Sequence, residues 1–304
     1  MPPIIRAVEI SKRYGTVSAI DRVTLDVQAG EIFGMVGPNG AGKTTTIECL
    51  EGLREADSGS LEVLGCNPAT ARTDLAELIG IQLQQSNLPP RLRVGEAMRL
   101  FRAQYARRAD PAELLERLGL SEKKNASIGT LSGGQRQRLF IALALVNQPR
   151  LVFFDELTTG LDPQARRSMW DLVREIRDRG CTVFLTTHFM EEAERLCDRV
   201  LILDGGKVVA LDTPQALIHS LGLGRRLVFT LPPGTTPPTQ LEAAGVEKVE
   251  SEGNRVSVQG RGERFASSVV GALEKSGIPF LDLWTEQPTL EDVFLALTGR
   301  QMRE

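Results

Sequence analysis

The chain has 304 residues, with 36 Lys and Arg against 39 Asp and Glu, a formal net charge of -3, and 41% hydrophobic residues. That length suggests about two domains, and the charge balance offers none of the basic surface that marks a nucleic-acid binder. The strongest apolar run, LFIALALV at 139–146, falls far short of the ~20 residues that span a bilayer, and MPPIIRAVEI at the start is not a secretory signal.

The first patterned segment covers 19–37. Ile20, Val23, Leu25 and Val27 alternate with polar neighbours as in a half-buried strand, Gly30 turns the chain, and IFGMV at 32–36 reads as a buried strand. That strand runs into GPNGAGKT at 37–44, and TTTIECLEGL reads as the helix after it. Gly37, Pro38, Asn39, Gly40, Ala41, Gly42, Lys43 and Thr44 complete the pattern GxxxxGK[ST] in the strand–loop–helix context that a phosphate-binding loop requires. Backbone amides would close around phosphates, Lys43 would reach the β- and γ-phosphates, and the Thr44 hydroxyl would ligate Mg²⁺, with Thr45 beside it on the nucleotide.

Residues 87–146 break the strand–helix rhythm with three helical segments, VGEAMRLFRAQYARR, DPAELLERLGL and QRQRLFIALALVNQ, which predict a helical insert. Asp110-Pro111 marks one helix start. LSGGQ at 131–135 marks another, because Ser132 and Gln135 form a capping box. Gly133 and Gly134 leave the first turn bare, so this helix start is a second anion-binding surface.

LVFFDE at 151–156 is a buried strand ending in two acids. A helix cap would need one acid, whereas two allow Asp155 to hold Mg²⁺ and Glu156 to orient and deprotonate an attacking water. MWDLVREIRDRG at 169–180 reads as a helix ended by Gly180, Asp162-Pro163 as a helix cap, and TVFLT at 182–186 as a strand leading to His188. A strand-end histidine alone is more often structural, but ligands of an open parallel sheet sit at the carboxyl ends of its strands. Lys43, Asp155, Glu156 and His188 all follow such strands, so His188 is a candidate to sense the γ-phosphate. RVLILDGGKVVALD at 199–212 predicts a hairpin turning on Asp204, Gly205 and Gly206.

Glycine and then proline (LPPGTTPP) over 221–238 predict a boundary, dividing the chain into domains at 1–220 and 221–304. Beyond it strand RLVFTL, helix TQLEAAG, strands VEKVES and RVSVQG, helix ERFASSVVGALEKSG and strand IPFLDLW follow the ferredoxin-like order. The tail 287–299 reads as a helix capped by Thr289 with Leu290, Val293, Phe294 and Leu297 on its apolar face. Four cysteines without CxxC spacing and only two histidines disfavour a zinc site and predict reduced thiols in a cytosolic protein.

These residues resemble, in order and over about 4–215, the ATP-binding cassette (ABC) ATPases. GPNGAGKT is similar to the family's Walker A loop, LSGGQ is its signature, LVFFDE its Walker B strand with the catalytic glutamate, GLD at 160–162 its D-loop and His188 its switch histidine. The resemblance also gives roles to two residues that would otherwise read as surface groups. Tyr14 would stack on adenine, and Gln84, chosen by register over Gln82 and Gln85, would be the Q-loop residue near metal and water. Leu157 departs from the pattern by standing where the family usually has proline, which is expected to affect the stability of the turn.

The resemblance implies a P-loop NTPase fold of the α/β class with a helical insert, a small C-terminal α+β domain, and ATP and Mg²⁺ as ligands. It also implies a head-to-tail dimer, homo- or heteromeric, in which Ser132, Gly133, Gly134 and Gln135 cover the nucleotide on the partner's phosphate loop. QPTLEDVFLALTG at 287–299 is similar to the ending of exporter ATPases of the daunorubicin-resistance type. The expectation is therefore an ATPase at the cytoplasmic face of the membrane, held by a separate integral permease. An importer motor and a soluble ABC protein acting on ribosome or DNA are the alternatives, and no nucleic-acid partner is expected.

Overall fold

The computed structural model describes residues 2–82, 88–220, 222, 224–262 and 264–300. The chain divides between Pro214 and Gln215 into two compact units, ahead of the expected boundary at 220.

The first unit opens with an antiparallel pair, β1 (Ile5–Tyr14) and β2 (Val17–Val27), followed by β3 (Ile32–Val36), α1 (Lys43–Leu50), β4 (Ser58–Val63), α2 (Arg72–Leu78) and β5 (Ile79–Gln82). Then come helices α3 (Val94–Arg102), α4 (Pro111–Arg117) and α5 (Gly133–Ala144), which form the helical insert. The unit continues with β6 (Leu151–Asp155), α6 (Pro163–Asp178), β7 (Thr182–Thr187), α7 (Met190–Leu196), β8 (Arg199–Asp204) and β9 (Lys207–Asp212). Strands β2-β1-β4 make one antiparallel sheet; β5-β6-β7-β3-β8-β9 make the main sheet, parallel except for β9.

The main sheet is covered on both faces, which is why β3, β6 and β7 are buried at every position and are built on the apolar runs IFGMV, LVFF and VFL. Phe33, Met35, Phe153, Phe184 and Leu201 point into one core with Ile47 and Leu50 of α1 and the apolar face of the smaller sheet, including Ile5, Ile10, Val23 and Leu25. The Phe33 and Phe184 rings stack with centroids 5.3 Å apart. This sandwich fixes α1, and with it the loop that precedes α1. The predicted hairpin at 199–212 is present, with Gly205 and Gly206 at positive φ in a two-residue turn. The predicted helix over 94–108 is shorter than expected and ends at Arg102, where the Arg102 side chain folds onto the Ala109 carbonyl.

The second unit contains α8 (Pro214–Ser220, shared with the boundary), β10 (Arg225–Thr230), β11 (Val246–Glu252), β12 (Arg255–Gly260), α9 (Phe265–Lys275), β13 (Leu281–Glu286) and α10 (Leu290–Thr298). Its sheet order, β11-β12-β10-β13, antiparallel throughout, is the ferredoxin-like one. One predicted element is absent: TQLEAAG at 239–245 is not a helix. It is preceded by a proline-rich run and stopped by Gly245 at φ 85°. The segment instead crosses as irregular chain and packs Leu241 and Ala243 on the core of Phe229, Val258 and Val269. On α10 the Thr289 cap is present, in a capping box with Asp292, and Leu290, Val293 and Phe294 are buried. Leu297, expected on the same face, is exposed.

Candidate functional site

The phosphate-type loop joins β3 to α1 and is held by close backbone approaches. A Cβ at Gly37 would lie 2.2 Å from the Leu203 carbonyl oxygen, and one at Gly42 2.4 Å from that of Ala19. Gly42, at φ 103°, is also the N-cap of α1 and provides no side chain to bond the free amides. The first turn of α1 contains no acid and opens on a lysine, the reverse of what a helix dipole prefers. Lys43 is buried, and its Nζ donates to the carbonyl oxygens of Gly37 at 2.7 Å and Pro38 at 3.2 Å. Burial pulls the Lys43 ammonium below its usual range, against the pull of Glu156 and Asp155. An uncapped helix start with a buried cation beside it is a site built for an anion. Asn39, Gly40 and Thr44 are exposed along it, with Pro38 and Thr45 half-buried and Ala41 buried.

Across from the loop, β6 ends in Asp155, which is 4% exposed and accepts a hydrogen bond from the Thr186 hydroxyl. Desolvation raises its pKa, and that hydrogen bond opposes the shift. Glu156 follows at φ 50°, a left-handed conformation that is rare for a residue with a side chain. Its amide donates to the Thr186 carbonyl at 3.1 Å, while its Oε1 lies 3.8 Å from Lys43 Nζ and 3.4 Å from His188 Nδ1. His188 Nδ1 is itself buried and completes no hydrogen bond among the described residues. Lys43, Asp155, Glu156 and His188 therefore meet at the carboxyl ends of β3, β6 and β7.

Leu157, in place of a proline, is buried, and its carbonyl accepts a hydrogen bond from Gln137 Nε2 at 2.8 Å. This bond restrains the turn that proline would otherwise have restrained. Nothing in the periodicity of α5 marks Gln137. Asp162 caps α6 as expected, accepting from the amides of Gln164 and Ala165.

The other expected site residues stand apart from this cluster. Ser132 and Gln135 close the capping box with bonds of 3.1 and 3.3 Å at the start of α5. Ser132 and Gly133 are exposed, and Cβ atoms at Gly133 or Gly134 would meet nothing within 4 Å. That bare helix start has room for a ligand to approach. Tyr14, at the end of β1, is 41% exposed with the Arg54 guanidinium 5.1 Å over its ring. Arg54 in turn pairs with Glu48 at 2.6 Å. Gln84 lies outside the described residues; Gln82, the alternative in register, is buried at the end of β5.

For Mg²⁺ the described residues provide the Thr44 hydroxyl and the Asp155 carboxylate, and among the described residues no group of three or more His, Cys, Asp or Glu could hold a metal by itself. One carboxylate and one hydroxyl suit Mg²⁺, which takes its remaining ligands from water and substrate phosphates.

A further acid sits behind the loop. Glu51, at the end of α1, is 6% exposed, and its Oε2 is buried without a hydrogen-bond partner among the described residues. It lines a cavity of about 340 Å³ together with Arg72, Phe101, Tyr105 and Leu143. Desolvation, with smaller repulsion from Asp155 and Glu48, pushes its pKa from 4.5 up to about 9. Between those values the folded chain holds a proton that the unfolded chain has lost, so stability falls as pH rises through that window. Glu51→Gln is expected to flatten this part of the pH dependence, seen as a smaller fall in melting temperature between pH 5.5 and 8.5. Equal slopes in the two proteins would show Glu51 to be ionised in the fold.

Three comparisons with known proteins bear on this geometry. The family model described as ABC transporter matches residues 20–159. The chain is 38% identical over 312 aligned positions to the Nod factor export ATP-binding protein I of Ralstonia nicotianae, covering 99% of this chain and 96% of that protein. The protein of the same name from Cupriavidus metallidurans is 39% identical, with complete coverage of both. Among solved structures, an ATP-binding subunit of an ABC transporter superposes with a TM-score of 0.66 at 28% identity, over 72% of this chain and 93% of that one. An ATP-binding cassette solved as a dimer in a post-hydrolysis state with ADP and Pi gives 0.61 at 26% identity, over 69% and 98%.

Proposed function

The chain belongs to the ABC transporter family of ATP-binding subunits, and on that premise we propose that it is the ATPase motor of an exporter, working through a separate membrane permease. The observation that carries export is the extent of the likeness. Relatives named for Nod factor export match this chain along nearly its whole length, the C-terminal unit included. The tail QPTLEDVFLALTG, with its Thr289 cap, supports the daunorubicin-resistance type within the family.

In this reading Lys43 exchanges the carbonyls of Gly37 and Pro38 for the β- and γ-phosphates, and the uncapped amides of α1 hold the same oxygens. Thr44 and Asp155, with Gln84, would hold Mg²⁺, which supplies neutralisation of phosphate charge when bound. Glu156 takes the proton of the attacking water, and His188, 3.4 Å from it, places that water. Tyr14 offers its ring to adenine. The exposed start of α5 serves a second copy of the chain, and dimer formation by the related cassette supports such pairing.

Among the described residues no helix is long and apolar enough to cross a membrane, so export would need a permease. Co-expression with the adjacent open reading frame, followed by purification from detergent-solubilised membranes, tests this. The expected result is a stable complex with a polytopic protein and altered ATP turnover. No complex and unchanged turnover would overturn the motor reading.

A further inference from the structure

Glu192, on α7, is 2% exposed and belongs to none of the groups assigned above. Its Oε1 accepts a hydrogen bond of 3.0 Å from the Trp170 indole of α6. Burial pushes the carboxyl up, and the hydroxyls of Thr187 and Thr158, the Trp170 indole and the Arg166 charge draw it back. These neighbours come from three segments that also carry site residues. Thr158 follows Glu156 in the turn after β6, Thr187 precedes His188, and Arg166 lies on the helix capped by Asp162. Arg166 also lays its guanidinium 4.1 Å over the Phe189 ring, whose centroid is 4.1 Å from that of His188.

A buried carboxylate is a costly way to fill a core, and an apolar pair of similar volume generally packs at least as stably. The polar cluster around it is also incomplete: among the described residues Arg166 Nε is buried without a hydrogen-bond partner. Leaving a buried donor unsatisfied is destabilising, so the arrangement is poorly accounted for by stability.

We propose that Glu192 is a positioning residue: it ties α6 to the end of β7 and thereby holds His188 at its working distance from Glu156. The proposal rests on Glu156 and His188 handling the attacking water. Misplacing a reacting pair by about 1 Å costs on the order of 100-fold in rate, so a tie behind the pair acts on turnover and leaves the phosphate loop alone.

The test compares Glu192→Ala, Glu192→Gln and Trp170→Phe in the full chain, by steady-state ATPase and nucleotide titration. Glu192→Ala is expected to lower kcat about 10- to 100-fold, with KM and nucleotide affinity within about twofold of wild type. Glu192→Gln keeps an acceptor for Trp170 and is expected to recover most of the loss. Trp170→Phe removes the donor and is expected to lower kcat several-fold, which decides the matter if Glu192→Ala fails to fold. Turnover of Glu192→Ala near wild type, a loss appearing in KM alone, or Glu192→Gln as impaired as the alanine variant would each overturn it. Glu156→Gln assayed alongside separates the two ideas: near-normal turnover there would fault the water-handling pair itself.

Discussion

Glu156→Gln is expected to bind ATP within a few-fold of wild type while ATP turnover falls about 10²–10⁴-fold, the usual worth of a positioned base. The amide is nearly isosteric with the carboxylate, so the turn at φ 50° and the bond from the Glu156 amide to Thr186 persist. What disappears is the proton acceptor 3.4 Å from His188 and one of the two negative charges near Lys43. Asp155 keeps the other, so the phosphate loop retains its electrostatic surroundings. A nucleotide titration beside steady-state phosphate release checks both halves. Turnover within a few-fold of wild type would remove Glu156 from the role of base.

Ser132→Arg is expected to leave nucleotide binding by the single chain largely intact and to abolish ATP-driven dimerisation and, with it, turnover. The serine caps α5 through Gln135, and losing such a cap costs about 1 kcal/mol. The helix tolerates that loss because Leu139, Ile141, Ala142 and Leu143 anchor its other end in the core. The larger effect is steric. The space above Gly133 and Gly134 is open, and an arginine rooted beside it fills the surface that a second copy's nucleotide would approach. Light scattering with ATP, in a Glu156→Gln background that halts hydrolysis, reads dimerisation directly. Dimers of Ser132→Arg in that assay would take the signature out of the interface.

The parts of this fold that were legible in the sequence are those where both faces of an element are committed. β3, β6 and β7 are buried at every position and carry apolar runs (IFGMV, LVFF and VFL) because the main sheet is covered on both sides, and each leads into a site residue. Helix starts carrying side-chain caps, at Asp110, Ser132, Asp162 and Thr289, were equally plain. Other elements carry weaker local signals. β4 offers only Leu61 and Val63 as apolar residues and pairs with β1 alone, so its identity comes from that partner. β5 spans four residues, and α7 starts without a side-chain cap. The segment 239–245 differs for a related reason: its helix formers are outweighed by the flanking proline-rich run and Gly245 and by Leu241 finding a core without a helix.

Within the site, the motif residues could be named in advance, but their supports could not. Gln137 holding the Leu157 carbonyl, Thr186 bonded to Asp155, and Arg54 over the Tyr14 ring all act between elements far apart in the chain. No spacing rule within one segment reports such contacts. The left-handed backbone at Glu156 is similarly invisible, since sequence gives no sign that a residue other than glycine or asparagine will adopt it.

In the proposed motor a working site is assembled from the phosphate loop of one chain and the α5 helix start of another. Mixing Lys43→Ala with Ser132→Arg tests it most directly, because a mixed dimer gathers both lesions into one site and leaves the other whole. ATPase activity in the mixture well above the sum of the two inactive proteins is the predicted result. No recovery, with both variants folded and mixed dimers present, would contradict it.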